Sequence, residues 1–274
     1  HALNDLRFQL SKINLGNITQ KQLSNILKHP ALIEAERIMF SQPTVEGKLK
    51  PKFVHDLIEI AEAYAEDILS VDKKATFLIG LPASGKSYFA EQLAKKTKSA
   101  IIDSDDAKKM MPEFKGGLGA NATAPMSSKY AASVMDNITN LGANIIIPSV
   151  GGSSKYGSME KKISMLKSKG YSVDVILIDT DFNHALVRMM NRFVDTGRLI
   201  ASDYFLDVEN TPRDTYNRLK DSGLIDNYAF LNNNFAKGEQ TVEEDPSKLL
   251  QEYGEPRQIG IGDVRRSYAE RSDL

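Results

Sequence analysis

One stretch of eight residues constrains this chain more than any other: Gly80-Leu-Pro-Ala-Ser-Gly85-Lys86-Ser87 fills the pattern G-x-x-x-x-G-K-S/T without a mismatch. Its glycines let the backbone curl until successive amides and the N-terminus of the next helix point at one spot, which makes a nest for an anion. The flanks agree with this. The apolar run Thr76-Phe-Leu-Ile79 enters the motif as a strand, and Phe89 and Leu93, with Lys95 and Lys96 at the end, leave it as a helix. In such a loop Gly80, Pro82, Ala83, Ser84 and Gly85 line the cradle for a nucleoside triphosphate, ATP. Lys86 reaches the β- and γ-phosphates, and the Ser87 hydroxyl is a ligand for Mg²⁺. The bland alternative is a glycine-rich strand-to-helix turn that holds no ligand.

From residue 75 onward, apolar runs of strand length alternate with amphipathic helices, the signature of βαβ units and a mainly parallel sheet. The expected strands are Thr76–Gly80, Ala100–Asp103, Asn144–Pro148, Val173–Asp179 and Asn227–Leu231. Helices are expected near 86–97, 105–111, 126–141, 156–169, 182–195 and 202–222. Residues 1–73 read instead as a helical preface, broken into at least two pieces by Pro43, Gly47 and Pro51, whose last helical series runs from Phe53 to Ile68. Residues 235–274 read as a polar, loosely packed extension with a short helix near 246–253. The expected organisation is therefore a P-loop NTPase-type, three-layer αβα core over 74–234 with an extension at each end.

Composition narrows the chemistry. Across 274 residues, 35 Lys and Arg balance 36 Asp and Glu for a net charge of −1, so no overall field attracts nucleic acid or an anionic membrane. Any anion must be held locally. Cysteine is absent, and the four histidines, His1, His29, His55 and His184, have no zinc-ligand spacing. No apolar run reaches membrane-spanning length and no signal peptide is visible, so a cytoplasmic protein is expected, or one secreted into a host cell if it is an effector.

Two further clusters carry chemistry. The second strand ends in Ile101-Ile-Asp-Ser-Asp-Asp106, and ligands of open α/β sheets sit beyond the carboxyl ends of strands. One carboxylate there can take a proton from a substrate hydroxyl or orient Mg²⁺; the competing role is to cap the next helix. After the fourth strand, Arg188 and Arg192 share a helix face and Arg198 follows Gly197, which is suited to end that helix. Such a face closing over ATP brings cations to the γ-phosphate, whereas a solvated face would pair with Asp181 and Asp195.

Taken in order, these blocks resemble the zeta toxin family of P-loop kinases over about residues 75–232. Ile101-Ile-Asp-Ser-Asp105 with Met111-Pro-Glu-Phe114 is similar to that family's I-D-x-D and H-P-x-F/Y. Pro125-Met-Ser127 resembles the P-Y-S that opens its next helix, and Met165-Leu-Lys-Ser-Lys-Gly-Tyr171 its M-L-x-x-K-G-Y. The resemblance implies that Asp105 is the catalytic base and that Arg192 and Arg198 bind and polarise the ATP phosphates. Ser87 with Asp103 would hold Mg²⁺. It also implies toxicity, and with it a neutralising antitoxin or chaperone partner. The chain departs from the family on the acceptor side. Ala132 stands where the family carries a Glu for its sugar substrate, Pro148-Ser-Val-Gly-Gly152 replaces a Glu and a nearby Arg, and a substrate-contacting Thr falls near Lys162.

The expected activity is transfer of the γ-phosphate of ATP to a hydroxyl of a nucleotide-type metabolite such as UDP-N-acetylglucosamine, with NAD as the alternative acceptor. A polynucleotide 5′-hydroxyl kinase shares the loop and the strand-end Asp, but near-neutral charge and the lack of a basic, aromatic groove count against nucleic acid. A nucleotide-binding switch without chemistry is the rival from another class.

Overall fold

A computed structural model describes residues 1–66, 68–152, 158–198, 202–234, 241–249 and 258–260. Its centre is a six-stranded sheet built from β2 (Lys74–Ile79), β3 (Ala100–Ile101), β4 (Ile145–Ser149), β5 (Ser172–Asp179), β6 (Asn227–Asn232) and β7 (Thr241–Glu244), in the order β3-β4-β2-β5-β6-β7. All pairs are parallel except β6 with β7. A separate antiparallel pair joins β1 (Ile68–Ser70) to β8 (Gln258–Gly260).

Alternation along the strands sorts the core into two layers, because successive side chains leave opposite faces. Phe77, Ile147 and Val175 face α4 (Pro51–Ala63), α7 (Ala120–Asn140), α8 (Ser158–Ser168) and α11 (Thr211–Ser222). Leu78, Ile146 and Ile176 face α5 (Lys86–Thr97). Helices thus cover both faces of a sheet buried on each side, which is the physical reason its strands read as continuous apolar runs. No helix among the described residues is long and apolar enough to cross a membrane.

Several boundaries differ from expectation. The N-terminal segment forms four helices, α1 (Ala2–Ser11), α2 (Gln20–Leu27), α3 (Pro30–Ser41) and α4, and α4 stops at Ala63 so that Ile68 begins a strand. Helix α7 starts at Ala120 rather than near 126 and carries Pro125 inside it. The residues before that proline are held from outside the helix: Val45 N–H donates to the Ala122 carbonyl at 2.9 Å and the Gln42 amide donates to Leu118 O at 2.8 Å. The expected helix 202–222 is two, α10 (Ser202–Asp207) and α11, and Pro212 sits in the first turn of the second. In the polar tail, β7 extends the sheet, and Glu244 accepts from Tyr216 Oη at 2.7 Å and from Lys220. Residues 246–249 form no helix, and 250–253, the remainder of the expected one, lie outside the described residues.

Candidate active site

The loop Gly80–Ser87 joins β2 to α5 at the carboxyl edge of the sheet. Its shape depends on backbone that side chains would obstruct. Gly85 is the N-cap of α5 with φ +97°, in the left-handed region, and provides no side-chain cap. The first amides of α5 are therefore left to an outside acceptor. A Cβ on Gly80 would meet Ser84 Oγ and the Ile178 carbonyl. Ala83 also adopts positive φ, and Ser84 is fully buried with its N–H donating to Leu81 O at 3.0 Å. Helix amides around a bare glycine cap fit a chain of phosphates.

Lys86 Nζ donates to the Gly80 and Leu81 carbonyls, each at 2.7 Å, folding the ammonium back over the loop. Burial pushes its amine down to about 8, against the opposing pull of Asp103 and Asp105, while Arg192 adds to the lowering. Those four side chains are thus near enough to feel one another's charge.

Helix α6 (Ser104–Met110) begins where β3 ends, and this places the acidic run above the loop. Asp103 is its N-cap, accepting from the Asp105 N–H at 2.9 Å. The capping role weighed from sequence is real for this residue, and one carboxylate oxygen is left over. Burial, followed by the neighbouring Asp105 charge, raises Asp103 to about 6. Asp105 behaves oppositely. Burial alone would raise it, but the Lys108 ammonium at 3.3 Å and the Arg198 guanidinium at 2.8 Å hold it down at about 2. Asp106 pairs with Lys109 at 3.4 Å on the outer side.

The arginines come from α9 (Phe182–Thr196) and the turn after it. Gly197, with φ +73°, ends the helix and Arg198 follows, reaching across to Asp105. Arg192 is partly buried, and burial, then the nearby Arg198, lowers its guanidinium while Asp105 and Asp103 act the other way. Arg188 points elsewhere: its Nη2 donates to the Asn233 carbonyl at 2.8 Å and its Nη1 to Thr180 Oγ1 at 3.4 Å. The structure thus gathers Lys86, Asp103, Asp105, Arg192 and Arg198 at the mouth of the loop and uses Arg188 as a brace.

Sequence reasoning missed the brace itself. Asn233, just past β6, is buried, and its amide donates to the Ser84 carbonyl; Thr180 Oγ1 approaches the same carbonyl at 3.3 Å. A Cβ on Gly85 would strike the Asn233 amide, so the loop packs directly on it. The available signal was the run Asn232-Asn-Asn234 at a strand's carboxyl end. Missed as well was Arg213, whose Nε and Nη2 grip Asp179 at 2.7 and 2.8 Å beside Leu81 in a small cleft.

The donor set also suits a divalent cation. Ser87 is exposed in the first turn of α5, and Asp103 keeps an oxygen beyond its capping bond, giving hard oxygen ligands of the kind Mg²⁺ takes. On the acceptor side, Ala132 is exposed on α7 and offers no carboxylate. Ser149 Oγ accepts from the Gly151 N–H at 3.0 Å and keeps its O–H to donate.

Comparison with known proteins finds relatives of the chain as a whole. The family model described as Zeta toxin matches residues 62–237, more than half of the chain. A solved structure from work on the PezAT chromosomal toxin-antitoxin system of Streptococcus pneumoniae superposes with a TM-score of 0.59 at 16% identity, over 84% of this chain and 98% of that one. The AVRRXO1-ORF1:-ORF2 complex matches with a TM-score of 0.48 at 17% identity, over 84% of this chain and 73% of that one. A candidate kinase from Chloroflexus aurantiacus matches with a TM-score of 0.45 at 15% identity, over 73% and 98%. The search of curated proteins returned no match.

Proposed function

The chain belongs to the zeta toxin family and has the fold of its P-loop kinases; from that premise we propose that it transfers the γ-phosphate of ATP to a hydroxyl of a small nucleotide-type metabolite. The observation that supports this most is the contact of Asp105 with Arg198 at 2.8 Å, within charge reach of Lys86 in a loop whose N-cap glycine provides no side-chain acceptor. A bare nucleotide-binding switch needs the loop but not a carboxylate and arginines gathered against it.

In this reading the amides of Gly85 to Ser87 and the Lys86 ammonium hold the β- and γ-phosphates. Lys86 gives up its two backbone carbonyls in exchange for phosphate oxygens. Ser87 and Asp103 would hold Mg²⁺, which neutralises charge on those oxygens. Asp105 accepts the proton of the acceptor hydroxyl as its oxygen bonds to the γ-phosphorus and the bond to the β–γ bridging oxygen breaks. Arg192 and Arg198 stabilise the charge that spreads over the equatorial oxygens.

The acceptor is UDP-N-acetylglucosamine or NAD. The exposed Ala132 on α7, which offers no carboxylate, favours an acceptor contacted differently from the family's sugar nucleotide, and NAD is the second candidate. A neutralising protein partner belongs to the proposal too, since the pneumococcal match comes from a toxin-antitoxin system. The test is to supply MgATP with each purified acceptor and follow ADP release and phosphorylated product together. Product from one acceptor supports the reading. ATP bound with neither acceptor modified, and none in a broader metabolite mixture, favours the switch.

A further inference from the structure

Two N-terminal helices hold the chain at positions that flank Arg198 in sequence. Arg7, on α1, donates through Nε and Nη2 to the Val194 carbonyl at 3.1 and 2.8 Å. Val194 lies in the last turn of α9, where carbonyls lack helical partners and a cation is favoured by the helix dipole. The same guanidinium backs Gly197, since a Cβ there would meet Arg7 Nη1 at 3.0 Å. On the far side, Glu36 of α3 accepts through Oε1 from the Ser202 N–H at 2.7 Å and from Ser202 Oγ at 2.6 Å. Glu36 is only 9% exposed. A carboxylate is costly to bury unless its hydrogen bonds are made, so its place there is tied to Ser202. Between these two clamps stands Arg198. Leu6 and Leu32 also share one apolar cluster with Leu81 of the phosphate loop and with Leu186 and Phe193 of α9.

We propose that Arg7 and Glu36 are positioning residues for phosphoryl transfer: by fixing the chain at Val194 and Ser202 they set where the Arg198 guanidinium can reach. The N-terminal helices are then a working part of the catalytic apparatus. This rests on the kinase reading of Arg198, and the test separates the two. A misplaced catalytic group costs about tenfold to a hundredfold, so Arg7→Ala and Glu36→Ala each lower kcat by that amount. Glu36→Gln, whose amide oxygen still accepts both Ser202 bonds, recovers most of it. In an Arg198→Ala background the same changes cost less than about twofold, because they act through the residue already removed. Equal losses in both backgrounds, or no loss in either, overturn the proposal. If the unaltered protein transfers no phosphate to any acceptor, the kinase reading has failed on its own, and amide hydrogen exchange decides the rest. Faster exchange at 194–198 and Ser202 in Arg7→Ala and Glu36→Ala, restored in Glu36→Gln, upholds the clamp; unchanged exchange removes it.

Discussion

Arg198 and Asp105, 93 positions apart in the chain, are joined by a hydrogen bond of 2.8 Å from Nη2 to Oδ2. The arginine assigned to the transferring phosphate therefore rests on the carboxylate assigned to the acceptor proton. That bond uses one of the five N–H donors of the guanidinium, so on the proposed reading the others remain to meet phosphate oxygens while Arg198 holds the base in place.

Arg198→Ala removes that partner and the transition-state cation together. Phosphoryl transfer is expected to fall by roughly 10³-fold or more. Asp105, relieved of the guanidinium, should rise toward the ordinary carboxylate value of 3.8 from about 2. In the unaltered protein that depressed value contributes stability present above the ordinary value and lost as pH falls from there toward 2. Denaturant unfolding as a function of pH checks it: the variant's stability should vary less across that window.

Lys86 sits at about 8 in the free protein because burial disfavours its charge. Phosphate oxygens restore the ammonium, so MgATP binding above pH 8 should take up a proton. Calorimetry in buffers of different ionisation enthalpy measures that uptake directly, and Lys86→Ala should abolish it along with much of the affinity.

Asn233→Ala leaves the Ser84 carbonyl without its amide donor and opens space beneath Gly85. Losing one partner of a buried bond costs about 1–3 kcal/mol, and part of it should appear as weaker MgATP binding. Gly85→Ala should be harsher, by more than about 1 kcal/mol, because φ +97° disfavours any side chain and Asn233 occupies the space. Thermal unfolding with and without MgATP separates the loop effect from the global one.

Away from the site, Asp174 is raised to about 6 by burial, which outweighs the 2.8 Å bond from Asn227; Asp226 adds to the rise. The native state keeps the proton between about 4 and 6 while the unfolded chain releases it, so this group makes stability fall as pH rises through that window. Asp174→Asn should remove that dependence, as read from urea midpoints at pH 4 and pH 6.5.

The phosphate loop was legible because the signals that announce it are local: an apolar strand, glycines at the turn and a helix pattern follow one another in sequence. Parallel strands buried on both faces announced themselves in the same way. What escaped depends on partners far along the chain. Pro125 read as the opening of a helix, yet Gln42 and Val45, some eighty positions earlier, hold the turn before it. Asn233 acts on a loop 149 residues away. The polar tail read as loose because β7 has little apolar content, while its anchor is Glu244 against Tyr216 and Lys220. The electrostatic cluster was half legible: its members stood out, but their pairing, with Asp103 turned to capping and Arg198 turned to Asp105, is set only by the fold.

The assignment of Asp105 as the base is tested most directly by incubating the protein and Asp105→Asn with MgATP and a metabolite extract, then searching by mass spectrometry for species heavier by one phosphate. The account predicts such a product from the unaltered protein and none from the variant, with ATP affinity retained in both. Equal product from Asp105→Asn, or ATP bound by the unaltered protein with no phosphorylated species formed, would contradict it.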